Sequence, residues 1–247
     1  MSLRGKRILV TRAAEDRGPF EALLVHEGAV PVAFPCIAIA DVPEAAGLAA
    51  LVGRLRPDFV VVASAHVARR LVSVLPALSS ARLAAVGKAT AEALFALGRK
   101  DVVVPESGVG AEAIAAALAP EVRGRSVLVP RAEGGNRALV EGLEAAGARV
   151  ETITLYRTVT PDRPDPEGLQ ALRGGRIDAI SFASGSAAHG YARLMGSDVF
   201  GAKVVCMGRL CAEEARASGL PVDAVSEGGL PELCAALGKV FSTPALP

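Results

Sequence analysis

Short apolar runs alternate along this chain with longer segments in which apolar residues recur at helical spacing. Residues 8–10, 59–63, 83–86 and 102–104 are apolar without interruption, which is typical of strands buried on both faces. The segments between them contain helix signals, such as a proline at a first helical position and a closing glycine. An alanine-rich helix is expected to end before Pro120. The pattern predicts an α/β protein with parallel sheets flanked by helices.

The landmarks of the first half recur in the second half at nearly constant spacing. Residues 124–131 (GRSVLVPR) resemble residues 5–12 (GKRILVTR) at an offset of 119. Residues 178–184 (DAISFAS) resemble residues 58–64 (DFVVVAS) at an offset of 120, and Gly219 follows Gly98 at an offset of 121. A register that holds within two residues over the whole chain predicts an internal duplication of a β- and α-rich unit.

Two extended segments interrupt this alternation and indicate how the duplicated units are connected. Residues 153–161 are rich in β-branched side chains and lead into a proline-rich turn, and residues 32–39 form a similar extended run. An extended segment that enters a proline-rich linker is typical of a chain passing between domains. We therefore predict one discontinuous domain, 1–36 with 161–247, a second domain, 37–160, and a ligand cleft between them that is walled by Tyr156.

Composition narrows the range of ligands and partners. The 247 residues include 27 Lys and Arg against 26 Asp and Glu, a formal net charge of +1, which favours neither nucleic acid nor a membrane surface as partner. No long apolar segment follows residues 1–7 and no apolar run reaches about 18 residues, so we expect neither a signal peptide nor a membrane span. Three histidines and four cysteines without paired zinc spacing argue against a metal site, and the cysteines are expected to stay reduced.

The loops that follow the predicted strands are the candidate ligand site. In parallel sheets the ligand binds beyond the carboxyl ends of the strands. Here these ends carry small or hydroxyl-bearing residues that open helices and expose backbone N–H groups to an anion. Two such sets of loops predict a large ligand with several negative charges. The candidate binding residues are Thr11, Arg12, Ser64, Ala65, Lys88, Thr90, Arg131, Ser184, Gly185, Ser186, Gly208 and Cys211.

Several residues with possible chemical roles also have a purely structural interpretation. Ser64 and Ser184 are expected to be helix N-caps rather than nucleophiles, because neither lies in a G-x-S-x-G turn. Arg12 and Arg131 end equivalent strands and suit either a ligand contact or a surface ion pair. His189 is expected to be a surface or packing residue. Tyr156 suits either a proton donor between domains or a structural tyrosine.

Taken together, several segments resemble the uroporphyrinogen-III synthase family. They are residues 8–12 (ILVTR), 63–64 (AS), 85–91 (AVGKATA) with Gly98, 155–157 (LYR), 182–184 (FAS) and 208–212 (GRLCA). The resemblance implies two flavodoxin-like domains joined by a two-stranded crossover. It also implies an enzyme without a cofactor that closes hydroxymethylbilane and inverts its last pyrrole ring. The substrate carboxylates would be held largely by backbone amides.

The same resemblance implies roles for particular residues. Tyr156 is the candidate catalytic residue, placed to hydrogen-bond the hydroxyl that leaves. Cys211 stands where the family usually has a threonine, and a thiol is the poorer hydrogen bonder. The expected setting is a cytoplasmic monomer that meets hydroxymethylbilane synthase transiently, with no nucleic-acid or membrane partner.

Three other classes of protein remain open at this point. Two similar α/β lobes also describe solute-binding proteins, although no signal peptide is expected here. A regulatory protein of the same fold without activity is a second alternative. A sugar-phosphate or nucleotide enzyme is a third, but the sequence contains neither a G-x-G-x-x-G nor a Walker loop.

Overall fold

A computed structural model describes residues 3–106, 108, 110–135 and 137–242. Its contacts divide the chain into two compact units. The first unit contains the chain through Ile39 and again from Thr158 onward, and the second unit is Ala40–Arg157.

Strands and helices alternate through most of the described chain. The strands are β1 (Arg7–Val10), β2 (Val30–Ala33), β3 (Ala38–Asp41), β4 (Phe59–Val62), β5 (Arg82–Ala85), β6 (Val102–Val103), β7 (Ser126–Ala132), β8 (Arg149–Val159), β9 (Ala179–Phe182), β10 (Lys203–Met207) and β11 (Ala224–Ser226). The α-helices are α1 (Gly18–His26), α2 (Leu48–Leu55), α3 (Ala65–Arg70), α4 (Lys88–Ala96), α5 (Ala111–Val122), α6 (Arg137–Ala145), α7 (Pro166–Arg173), α8 (Gly185–Met195), α9 (Gly208–Ala217) and α10 (Leu230–Val240). Two short 3-10 turns span Pro43–Gly47 and Leu75–Leu78.

Each unit contains one sheet, and the two sheets share a strand order. The first sheet runs β11-β10-β9-β1-β2, and the second runs β3-β8-β7-β4-β5-β6. The neighbours within β11 to β2 and within β8 to β6 pair in parallel. The strands can be renumbered 1 to 5 as β1, β2, β9, β10 and β11 in the first sheet and as β7, β8, β4, β5 and β6 in the second. Both sheets then have the flavodoxin-like order 2-1-3-4-5. The prediction of two flavodoxin-like parallel-sheet domains from an internal duplication is confirmed.

The two sequence repeats exchange segments to make these sheets. Strands β1 and β2 belong to the first repeat, and they pair with β9 to β11, which belong to the second repeat. Conversely, β7 and β8 of the second repeat complete the sheet of β4 to β6. The crossover strands β3 and β8, which begin or end near the unit boundaries, are neighbours in the second sheet. Each unit therefore contains a part of both repeats.

Buried apolar side chains cover both faces of the first sheet. On one face Phe34, Phe182 and Tyr191 pack together, with the Tyr191 ring centroid 5.9 Å from Phe34 and 5.6 Å from Phe182. On the other face α1 and α10 contribute Phe20 and Leu237, both fully buried. Strands β4 and β9 are buried at all four positions, as expected for strands with helices on both faces.

Two helix ends differ from the sequence prediction. Helix α5 does not end before Pro120 but continues to Val122. Its buried stripe of Ile114, Leu118 and Val122 continues past the proline, and Ala116, whose carbonyl loses its partner there, is exposed to water. The sequence also favours a helix over residues 67–75, but α3 spans Ala65–Arg70 and ends earlier.

In each unit, an aspartate just before one strand binds the start of the neighbouring strand. The two strands are β9 and β1 in the first unit, and β4 and β7 in the second. Asp178 accepts hydrogen bonds from the Arg7 backbone N–H and the Lys6 ammonium, both at 2.8 Å. Its counterpart, Asp58, accepts bonds from the Ser126 backbone N–H at 2.8 Å and from the Ser126 hydroxyl at 3.1 Å. Each aspartate comes from one repeat and binds a strand of the other, so the pair holds the exchanged segments together.

These contacts predict acid sensitivity. The Ser126 backbone hydrogen bond lowers the pKa of Asp58. Partial burial raises the pKa of Asp178, but the hydrogen bonds from Arg7 and Lys6 outweigh it and leave that pKa lowered. A lowered folded-state pKa stabilises the protein above the unfolded value of about 4 and loses that stability as pH falls through the folded value. We expect the midpoint of thermal unfolding to decrease as the pH is lowered below about 5. The decrease should be less steep in the double variant Asp58→Asn/Asp178→Asn. Equal slopes in the two proteins would contradict the assignment.

Candidate functional site

Tyr156 lies at the carboxyl edge of the second sheet and makes a hydrogen bond to Ser64. The phenolic oxygen is 3.0 Å from Ser64 Oγ, and the side chain is almost fully buried. Ser64 Oγ also accepts the Val67 backbone N–H at 3.2 Å, so Ser64 caps α3 as expected. The prediction that Ser64 is an N-cap is confirmed, and its hydroxyl is at the same time the hydrogen-bond partner of the candidate catalytic phenol.

The order and the irregularity of the strands bring these two residues together. Ser64 follows β4, and Tyr156 lies in β8; both strands are close to β7, which runs between them. The pairing of β7 with β8 shifts between Arg131 and Ala132, so that Ala132 is opposite Tyr156. The Glu133 N–H then donates to the Tyr156 carbonyl at 2.8 Å and ends the ladder. Bulges of this kind turn a side chain at the rim of a sheet.

Two further side chains lie beside Tyr156 and a third binds one of them, and the sequence analysis selected none of the three. The His66 and Tyr156 ring centroids are 5.4 Å apart, and the Arg70 guanidinium carbon lies 5.0 Å from the Tyr156 ring centroid. Asp41 binds that guanidinium through one carboxylate oxygen, at 2.8 Å from Nε and 2.6 Å from Nη2. A sequence signal existed, since His66 and Arg70 are four residues apart on the helix capped by Ser64.

The corresponding loop of the first unit repeats the cap but not the tyrosine. Ser184 has the same extended backbone as Ser64, and its hydroxyl accepts the Ala187 N–H at 3.3 Å. Gly185 is packed closely against Glu214, because a Cβ atom there would lie 2.8 Å from the Glu214 side chain. Gly208, which opens α9, has a φ of 79°, a conformation that favours glycine. Among the described residues, this loop repeats the helix cap of Ser64 without the phenol that Ser64 contacts.

Several candidate side chains are directed into the core of their own unit. The Thr11 hydroxyl is fully buried and donates to the Ser181 carbonyl at 2.7 Å. Cys211 is buried with its thiol 3.5 Å from the Phe182 carbonyl, and its hydrogen bond to Cys206 raises the pKa of the Cys206 thiol. Thr90 is also buried. Because these side chains are buried, a ligand would contact the backbone of these residues.

The remaining candidates are partly exposed at the carboxyl edges. Arg12 Nε donates to the Asp16 carbonyl at 3.0 Å; burial lowers the pKa of Arg12, and the Asp16 charge opposes that shift. Arg131 Nε is buried without a hydrogen-bond partner among the described residues. The candidates that open helices at these edges are Ala65, Lys88, Gly185, Ser186 and Gly208. His189 is half-exposed and binds Glu214 and Ser218, which agrees with the surface role expected for it.

The described part of the chain gives no support for a metal site or for a membrane-spanning helix. Within it, no group of three or more His, Cys, Asp and Glu side chains is arranged to hold a metal ion. None of its helices is both long and apolar enough to cross a membrane.

A family model and individual proteins of similar sequence point to the same family. Residues 18–231 match the family model described as uroporphyrinogen-III synthase HemD. The uroporphyrinogen-III synthase of Synechococcus elongatus is 31% identical over 80% of this chain and 77% of its own length. That of Chlorobaculum parvum is 25% identical over 90% of this chain and 93% of its own length.

Solved structures of similar proteins share the fold. Uroporphyrinogen-III synthetase from Helicobacter pylori covers 96% of this chain and 99% of its own at a TM-score of 0.65 and 15% identity. A mutant uroporphyrinogen III synthase from Thermus thermophilus has the same coverage at a TM-score of 0.55 and 20% identity. With the family model matching most of its length, the chain belongs to the uroporphyrinogen-III synthase family, the lyases of tetrapyrrole biosynthesis.

Proposed function

We propose that Tyr156 is the catalytic acid of this enzyme and that loops of both units bind its substrate, hydroxymethylbilane. The family reaction removes the terminal hydroxyl of this linear tetrapyrrole and leaves an electrophilic azafulvene. The last pyrrole ring is attacked at its substituted carbon, and the spiro intermediate fragments and recloses. The product is uroporphyrinogen III, and one water molecule is released.

The chemistry sets two requirements for the protein. Departure of hydroxide is assisted by a proton donor, and the chain of four pyrroles has to be folded so that inversion is faster than spontaneous closure. Neither requirement calls for a covalent nucleophile, which agrees with Ser64 and Ser184 serving as helix caps.

The observation that carries the assignment of the acid is the 3.0 Å contact between Ser64 Oγ and the Tyr156 oxygen. The contact is at the carboxyl edge of a parallel sheet, where ligands of this fold class bind. A hydroxyl partner accepts or donates a hydrogen bond as required, so the phenol keeps an aligned partner before and after it gives its proton to the leaving oxygen.

Substrate binding is assigned to backbone N–H groups at the helix-opening loops. These are the loops at Ser64–Ala65, Lys88–Thr90, Ser184–Ser186 and Gly208, with Arg12 and Arg131 as nearby cations. N–H groups at a helix start favour carboxylates. The buried positions of the Thr11, Thr90 and Cys211 side chains support a backbone role there. Cys211 in place of the usual threonine is then compatible with binding.

Incubation with enzymatically generated hydroxymethylbilane tests the function. Oxidation of the product and chromatographic separation of the isomers should give predominantly isomer III, whereas substrate alone gives the uninverted isomer I. A protein that binds the tetrapyrrole but leaves the product as isomer I would instead be a binding or regulatory member of the fold.

The setting of the enzyme is also proposed. We expect a cytoplasmic monomer that receives its unstable substrate from hydroxymethylbilane synthase through a transient encounter. It is expected to need no cofactor and no nucleic-acid partner, in keeping with the net charge of +1.

A further inference from the structure

Arg70 lies against the Tyr156 ring instead of extending into water. Its guanidinium carbon is 5.0 Å from the ring centroid, and only 24% of its side chain is exposed. A cation at this distance from an aromatic face is attracted by the ring electrons. The contact is made by the flat face of the ring and leaves the phenolic oxygen to Ser64.

Two other contacts fix the guanidinium in this position. Asp41 accepts from Nε and Nη2 through one carboxylate oxygen, and the His66 carbonyl accepts from Nη1 at 3.3 Å. Each of the three guanidinium nitrogens therefore has an acceptor. These hydrogen bonds hold the guanidinium carbon over the tyrosine ring.

The position of the cation matters when the phenol acts as an acid. As the C–O bond to the leaving hydroxyl breaks, the Tyr156 proton passes to that oxygen and water departs. The resulting negative charge is delocalised into the ring, under Arg70. A fixed cation that faces developing charge stabilises the transition state more than the ground state. When the ring closes, a pyrrole carbon loses its proton, and that proton returns to the Tyr156 oxygen. The phenol is restored and the protons balance.

We propose that Arg70 is a positioning residue for the family reaction, acting through Tyr156 by orienting its ring and stabilising its negative charge. The proposal rests on the proposed role of Tyr156. Asp41 has the supporting role of holding Arg70 over the ring.

A double-mutant cycle tests this link, with Arg70→Gln and Tyr156→Phe made separately and together. Arg70→Gln should lower kcat about 10-fold and change KM by less than about 2-fold, since the stabilisation appears in the transition state. In the Tyr156→Phe background the same change should have almost no effect on kcat, because a phenylalanine ring acquires no charge. Arg70→Lys, which keeps the charge but loses the guanidinium that Asp41 and the His66 carbonyl hold, should recover part of the activity.

The matched control is Arg54→Gln. Arg54 forms an exposed ion pair with Glu151 in the same unit, and its replacement should leave kcat unchanged. Denaturant unfolding of each variant checks that the second unit remains folded. If Arg70→Gln unfolds, Asp41→Asn replaces it in the cycle, because it frees the guanidinium without removing it.

Two results would overturn the inference. Equal effects of Arg70→Gln in the parent protein and in the Tyr156→Phe background would show that Arg70 does not act through the phenol. A rise in KM at constant kcat would make it a substrate-binding residue. Failure of the unmodified protein to form isomer III is a separate result, which would contradict the proposed function itself.

Discussion

Tyr156→Phe is expected to lower kcat about 10²-fold and to leave the affinity for product nearly unchanged. The substitution removes one hydrogen bond that is used in the transition state, and general acid assistance contributes roughly this factor. Complete loss is not expected, because the hydroxyl of free substrate also departs without help. The product should remain mainly isomer III, since folding of the substrate depends on the loop N–H groups and not on the phenol.

Tyr191→Phe is the matched control for this experiment. Tyr191 is the other tyrosine of the chain, and its hydroxyl donates to the Asp198 carbonyl at 2.8 Å in the core of the first unit. Its loss should cost about 1 kcal/mol of unfolding free energy and leave kcat unchanged. Full activity of Tyr156→Phe with an unchanged Tm would reduce Tyr156 to a structural residue.

Gly190→Ala is expected to destabilise the first unit by about 3 kcal/mol or more. A Cβ atom at this position of α8 would lie 2.0 Å from the Cys36 carbonyl oxygen, well inside van der Waals contact. Cys36 belongs to the backbone that follows β2 and is fully buried, so neither element can shift without disturbing the core. The loss should be visible as a lower denaturant midpoint.

Gly53→Ala makes the same chemical change where the surroundings are open. Gly53 lies within α2, and a Cβ atom there meets no neighbouring atom of the described chain within 4 Å. Alanine is the better helix former by up to about 1 kcal/mol, so this variant should be as stable as the parent or more stable. Similar midpoints for Gly190→Ala and Gly53→Ala would contradict the close approach of α8 to Cys36.

Sequence reasoning was most effective where a local pattern determines the structure. The apolar run at residues 59–63 identified β4, the repeat of that stretch at residues 178–184 identified β9, and the serines after them were identified as helix caps. The repeat offsets of 119 to 121 residues matched equivalent strands of the two sheets. These features depend on burial and on hydrogen bonds between near neighbours along the chain, which leave a trace in the sequence.

Contacts between distant residues were harder to predict. Tyr156 was selected from its position on an extended segment, but its partner Ser64 is 92 residues away, and Arg70 and Asp41 were not selected at all. Their pairing depends on the order of β4, β7 and β8 and on the bulge beside Arg131. Pro120 misled the prediction of α5 because the cost of a proline is low where the carbonyl that it leaves unpaired faces water.

The exchange of segments between repeats has a consequence for how the protein forms during translation. The second unit is continuous, so all its strands have been synthesised before β9 is made. Strands β1 and β2 are synthesised first and are neighbours, but the strand on the other side of β1 is β9, which follows about 170 residues later. The second unit can fold while the chain is still growing, whereas the first can close only near the end. The earliest part of the nascent chain is thus the last to gain its full set of neighbours, and it is the segment most exposed to chaperones and proteases.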